Sequence, residues 1–195
     1  MRIQTVGAAT LRIPMETPVV VGGGLRIAER EYLLVTLDTD AGLRGVGWSF
    51  TRGADLASAV QRLRPVLEGE DPMEVERLWE RMTANGSPPA NRGVTRRAVS
   101  AIDIALWDIK GQVAGFPLHR LLGGYRTEVP VLMAAMYYTP GRRPENDVRE
   151  AALLREQGFR VIKMMGGVAP FADDLERVRA VRRVLGPDVG IALDV

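Results

Sequence analysis

The chain has 195 residues, 46% hydrophobic and 26% charged, the proportions of a globular protein with a core and not of a disordered chain. It has no cysteine, which excludes disulfide scaffolds, thiol nucleophiles and thiolate metal sites, and no apolar run near the ~20 residues a membrane helix needs. Its 26 basic and 24 acidic residues leave a net charge of +2 with no basic block, so the expectation is no nucleic-acid partner, no membrane partner and, without a signal-peptide pattern, a cytoplasmic location.

Residues 1 to about 50 read as strands. Arg2–Val6 opens the chain, and Tyr32–Leu37 and Leu43–Trp48 flank an Asp- and Gly-rich turn, the pattern of a hairpin. Between them Pro14–Glu29, with Pro18 and Gly22-Gly23-Gly24, reads as a long surface loop. From Ala54 the period becomes helical. Asp55 can cap a helix carrying Leu56, Val60, Leu63 and Val66, and Pro72 starts another with Val75, Leu78 and Trp79. Asn85–Asn91 reads as a loop, and Arg96–Ala114 as a long helix with Ala98, Ala101, Ile102, Ala105, Leu106 and Ile109 on one face.

From Val129 strands and helices alternate: strand 129–136, helix 144–157, strand 161–165, helix 172–185, strand 189–195. That alternation implies parallel pairing through right-handed crossovers. Three such strands neither close a barrel nor cover both faces of a sheet, so the chain reads as the front part of a longer one.

In parallel α/β folds, ligands meet the C-terminal ends of strands. That rule selects Met136, Tyr137 and Tyr138 after the first of these strands, Lys163 and Met165 on the second, and Asp194 on the third. Only Lys110 and Lys163 among the 26 basic residues are lysine, and a compact ammonium offers a base that a guanidinium does not. Burial in an apolar strand is expected to lower the Lys163 pKa toward that use. Asp194 ends an apolar run, where a carboxylate needs a partner, a metal such as Mg²⁺ or a helix to cap.

Ala98–Gly111, continuing through Gly115-Phe116-Pro117-Leu118 to Leu121-Leu122-Gly123-Gly124, resembles the signature of the mandelate racemase and muconate lactonizing enzyme family of the enolase superfamily. The hairpin ending Gly42–Gly47, the Gly158–Lys163 segment and Leu193-Asp194-Val195 fall in the family's order, so the resemblance covers essentially the whole chain. It implies an α+β capping domain, residues 1–125, followed by the first strands and helices of a (β/α)7β TIM-like barrel, residues 126–195, with the chain stopping mid-barrel. It also implies abstraction of the proton α to a carboxylate, with bound Mg²⁺ as cofactor, in an enzyme that is commonly a homo-oligomer.

Lys163 matches the first Lys of the family's Lys-x-Lys motif, and Asp194 the first of three carboxylate metal ligands. The second Lys position holds Met165, which moves no proton, so the departure argues against a symmetric two-base racemase. The acidic residue often found after the second glycine of the hairpin is also absent from Gly45–Ser49. The resemblance thus points to an acid-sugar dehydratase, with a racemase or epimerase, or a non-catalytic binding or oligomerisation module, as alternatives. Its small-molecule carboxylate substrate would meet Tyr137, Met165, Gly23 of one lid loop and Phe50 of the second lid segment, residues 49–53. Asp103, Trp107, Asp108 and Lys110 are expected to be structural, and His119 to lie at the surface or between domains.

Overall fold

A computed structural model describes residues 1–84 and 92–195, and the loop expected at Asn85–Asn91 lies outside them. The chain forms two compact units, Met1–Ile13 with Arg30–Thr127, and Pro14–Glu29 with Glu128–Val195.

β1 (Ile3–Val21), β2 (Leu25–Thr39) and β3 (Arg44–Phe50) form one sheet in that order, and only its Pro14–Glu29 end belongs to the second unit. β2 and β3 are antiparallel, with Val35 opposite Gly47 and Leu37 opposite Gly45. α1 (Leu56–Leu67) is capped by Asp55, whose carboxylate accepts the Ser58 N–H at 3.0 Å. α2 (Val75–Ala84) and α3 (Arg92–Ala114) follow, then the single turn α4 (Leu118–Leu121). Ala98, Ala101, Ile102, Ala105, Leu106 and Ile109 of α3 are all fully buried and pack with Ile3, Val6, Leu33, Val35 and Leu37 of the sheet.

The contact between α3 and β3 is set by small residues. A Cβ on Gly47 would lie 1.9 Å from the Ala101 carbonyl oxygen, and one on Gly45 2.1 Å from that of Ala105. Backbone therefore meets backbone, and any side chain at either position would push the helix off the sheet. The outer edge of β3 is closed by the same helix. Asp108 accepts the Val46 N–H at 2.9 Å, and Gln112 donates to the Arg44 carbonyl at 2.8 Å. Lys110 lies 4.8 Å over the Trp107 ring, and His119 is exposed. Trp107, Asp108 and Lys110 of the Ala98–Gly111 segment are thus occupied with structure.

The loop expected over Pro14–Glu29 is instead the far end of a long hairpin. β1 runs to Val21, a 3₁₀ turn covers Gly22–Gly24, and β2 starts at Leu25. Pro14 and Pro18 are tolerated because β1 is an edge strand, where a missing N–H leaves no partner stranded. Gly23 and Gly24, at φ 73° and 77°, make the turn that side chains resist.

In the second unit, β4 (Met133–Ala135), α5 (Pro144–Glu156), β5 (Val161–Met165), α6 (Phe171–Leu185) and β6 (Gly190–Asp194) form two β-α-β turns of a parallel sheet, order β4-β5-β6. The strand expected over 129–136 is only three residues long. Val129 and Val131 are 71% and 65% exposed, Pro130 has no N–H to donate, and the ladder begins only where Met133 registers with Ile162. Ala135, Ile162 and Met164 turn toward α5 and α6 and bury against Leu154, Val181 and Leu185. Among the described residues no helix is long and apolar enough to cross a membrane.

Gly47→Ala is expected to lower the unfolding free energy by about 3 kcal/mol through overpacking against backbone. Gly22→Ala, where an added Cβ meets nothing within 4 Å, should change it by less than about 0.5 kcal/mol. Denaturant unfolding of the two variants checks the difference, and equal effects would contradict the close approach of α3 to β3.

Candidate active site

Register places the candidate residues of the second unit. Ala134, Lys163 and Ala192 stand side by side across β4, β5 and β6, and Met165 is opposite Asp194 one repeat further on. Side chains two residues apart share a face, so Lys163, Met165 and Asp194 all lie on the face turned away from α5 and α6. Ala134 and Ala192 are too small to enclose Lys163, which keeps 30% of its side-chain exposure.

Lys163 Nζ donates to Asp194 Oδ2 at 2.5 Å. That bond holds the lysine pKa above its ordinary 10.5, with burial working weakly the other way and Tyr137 adding a smaller push upward. The expected lowering by burial is therefore corrected: an ammonium with a carboxylate partner is favoured over an amine. In this state Lys163 is a proton donor. Asp194 itself is 47% exposed at its strand end.

Asp194 offers hard carboxylate oxygens of the kind Mg²⁺ prefers. Among the described residues, however, no group of three or more His, Cys, Asp or Glu side chains could hold a metal. Asp194 fits one ligand position, and the described residues do not complete the site.

Tyr137, half-buried, follows β4 close enough to act electrostatically on Lys163. Gly23 sits at the turn of the long hairpin, exposed, with open space around it. Phe50 belongs to the first unit, at the end of β3, with its ring 5.6 Å from Tyr32 and the Arg52 guanidinium 5.9 Å above it. The structure thus brings Lys163, Met165 and Asp194 onto one face with Tyr137 nearby, and places Phe50 in the other unit.

Behind the strand ends lies a cluster that the linear reading missed. Arg177 of α6 is 7% exposed. Its Nε donates to Asp147 Oδ2 at 2.7 Å, Nη1 to Asp174 Oδ1 at 2.9 Å and the Met165 carbonyl at 3.3 Å, and Nη2 to the Met136 carbonyl at 3.1 Å. Its guanidinium carbon lies 4.3 Å over the Tyr138 ring. Asp147, fully buried, also accepts Arg142 Nε at 2.5 Å. Asp174 also accepts the Tyr138 hydroxyl, and the Gly167 N–H at 2.8 Å. Burial alone would raise the Asp174 pKa, but these donors outweigh it and hold the carboxyl low. Burial first, then the bond to Asp174, raises the Tyr138 phenol.

Met136, fully buried, has φ 55°, a left-handed conformation that costs a non-glycine residue about 1–3 kcal/mol. Its carbonyl is held by Arg177. A signal was present in the sequence. Arg177 occupies the same helical stripe as Ala180, Val181 and Leu185, and Asp147 the same stripe as Ala151 and Leu154. Opposite charges on two core-facing stripes announce a buried pair.

Asp194→Asn should bring the Lys163 titration down toward 10.5, read by selective ¹⁵N-lysine NMR, where Lys110 is the only other signal. Because the folded value is raised, the pair's stabilisation is complete below the unfolded value and lost as pH rises through the folded one. The variant's stability deficit, under about 1 kcal/mol for so exposed a pair, should hold steady from neutral pH to about 10 and shrink above it. An unchanged Lys163 titration would contradict the ion pair.

Residues 5–123 match the mandelate racemase / muconate lactonizing enzyme N-terminal domain, and residues 146–195 the enolase C-terminal domain-like family. Arabinonate dehydratase of Saccharolobus solfataricus is 34% identical over 174 residues, 88% of this chain and 47% of that protein. The crystal structure of a racemase from Streptomyces coelicolor with bound magnesium superposes with a TM-score of 0.90 at 32% identity, covering 98% of this chain and 54% of that one. That of L-talarate dehydratase from Polaromonas, complexed with Mg and L-glucarate, gives 0.86 at 29% identity, covering 99% and 54%. The chain spans about half the length of the curated relatives it matches. With its N-terminal domain match alone covering more than half of the residues, the chain belongs to the mandelate racemase / muconate lactonizing enzyme family.

Proposed function

We propose that this chain supplies the capping unit and the first barrel strands of an enzyme that removes the proton α to a carboxylate, in the manner of an acid-sugar dehydratase. The observation that carries the reading is the Lys163–Asp194 pair at the ends of neighbouring parallel strands, on the face that α5 and α6 leave open. Lys163 is the only lysine of the second unit. The dehydratase relatives, one of them holding an acid sugar, support the substrate class.

Asp194 would be one ligand of a Mg²⁺ whose charge, when bound, offsets the negative charge that develops on the substrate. A hydrogen α to a carboxylate is barely acidic, so such offset is worth several kcal/mol. Lys163 Nζ would hold the substrate carboxylate, or take the proton once its bond to Asp194 is released. Tyr137 would hydrogen-bond the substrate, and Met165 would present an apolar wall beside Lys163 that carries no proton. Gly23 and Phe50 would belong to two lid segments that exclude water.

A racemase or epimerase is the second reading, favoured by the likeness to the Streptomyces coelicolor racemase. It requires an acid/base group facing Lys163 across the substrate, a role Met165 does not fill.

The test is exchange of the α-proton in D₂O by the full-length protein, with Mg²⁺ and a panel of acid sugars. Lys163→Ala should lower exchange by about 10³-fold while the fold is kept. Unchanged exchange would remove Lys163 from the chemistry. Asp194→Asn should weaken Mg²⁺ binding measured by calorimetry, and an unaltered isotherm would dismiss the ligand assignment.

A further inference from the structure

We propose that Arg177 and Tyr138 are positioning residues that tie the hairpin tip, Pro14–Glu29, to the strand ends bearing Tyr137 and Met165. The inference rests on the reading of those strand ends as the substrate side, and it adds residues that touch no substrate.

The geometry forms a continuous chain of contacts within the second unit. Arg177 donates to the carbonyls of both Met136 and Met165, the last residues before Tyr137 and before Gly166. One rigid guanidinium thus fixes the spacing of the ends of β4 and β5, which an ammonium with its single nitrogen does less well. It also lies over the Tyr138 ring and shares Asp174 with the Tyr138 hydroxyl. Asp174 in turn accepts the Gly167 N–H, so the loop after β5 is held by the same carboxylate. The Tyr138 carbonyl accepts the Val20 N–H at 2.7 Å, an isolated antiparallel bridge next to the Gly22–Gly24 turn. Val20 is thereby connected to Tyr138, Asp174 and Arg177, and through them to Asp147 on α5.

This wiring exceeds what packing of α5 on α6 requires. The Arg177–Asp147 pair alone would join the helices. The added bonds end on backbone atoms of the two strand-end loops and, through Tyr138, on the hairpin. The left-handed φ of Met136 sits where these bonds converge, as expected of a conformation imposed by its surroundings. Shape at the strand ends is therefore set from behind, by residues whose polar atoms are satisfied within the protein.

The experiment is residue-resolved amide hydrogen exchange of the full-length protein, comparing the parent with Tyr138→Phe, which keeps the ring over Arg177 and removes only the hydroxyl. The Val20 and Gly167 amides should exchange at least about 10-fold faster, while Leu106 in α3 and Met164 in β5 stay as they were. Unchanged protection at Val20 and Gly167 would overturn the proposal. Equal acceleration of all four amides would also overturn it, because the cluster would then act on global stability alone. Arg177→Lys should loosen the same two amides. Where that variant fails to fold, Tyr138→Phe decides. The readout needs no turnover, so a failure here is distinct from a failure of α-proton exchange in the full-length protein.

Discussion

The parallel register of β5 with β6 is the constraint on which the site depends. With Lys163 opposite Ala192, the next residue of β6 on that face is Asp194, and the long lysine stem reaches it. No loop conformation is needed to make that encounter. The register is itself held by burial of the alternate residues, Ile162 and Met164 under α5 and α6, since a one-residue slip would turn them outward and Lys163 inward. Chemistry on one face is thus positioned by hydrophobic packing on the other.

Much of this was legible in the sequence because it follows from local periodicity. The α3 stripe, the Asp55 cap and the strands at 161–165 and 190–194 depend on spacing that survives in one dimension. The Pro14–Glu29 segment did not, because prolines and glycines signal a loop unless the strand is known to be an edge. The strand at 129–136 shrank to three residues because its apolar residues answer to a ladder, and only Met133–Ala135 find one. The direction of the Lys163 pKa was misread for a related reason. An apolar neighbourhood along the strand says nothing of the carboxylate that arrives from the next strand.

The Arg177 cluster shows what linear reading loses most readily. Removing one partner of a buried pair typically costs about 3–5 kcal/mol, so such pairs are strong constraints on a fold. Here Asp147 and Arg177 are 30 residues apart and belong to different helices, and neither is unusual beside its own neighbours. Only the two stripes read together, each with a charge where an apolar residue belongs, reveal them. The small residues of β3 tell a parallel story: Gly45 and Gly47 read only as part of a strand, yet each is required by the closeness of α3.

The proposed function has Lys163 alone carrying protons, at one face of a carboxylate substrate, because Met165 beside it on β5 carries none. The most direct measurement offers the full-length protein, in D₂O with Mg²⁺, each of the two acid sugars that differ only in configuration at the carbon next to the carboxylate. Deuterium entering one epimer alone is the result predicted. Deuterium entering both at comparable rates would contradict it, and would require a second acid/base group opposite Lys163.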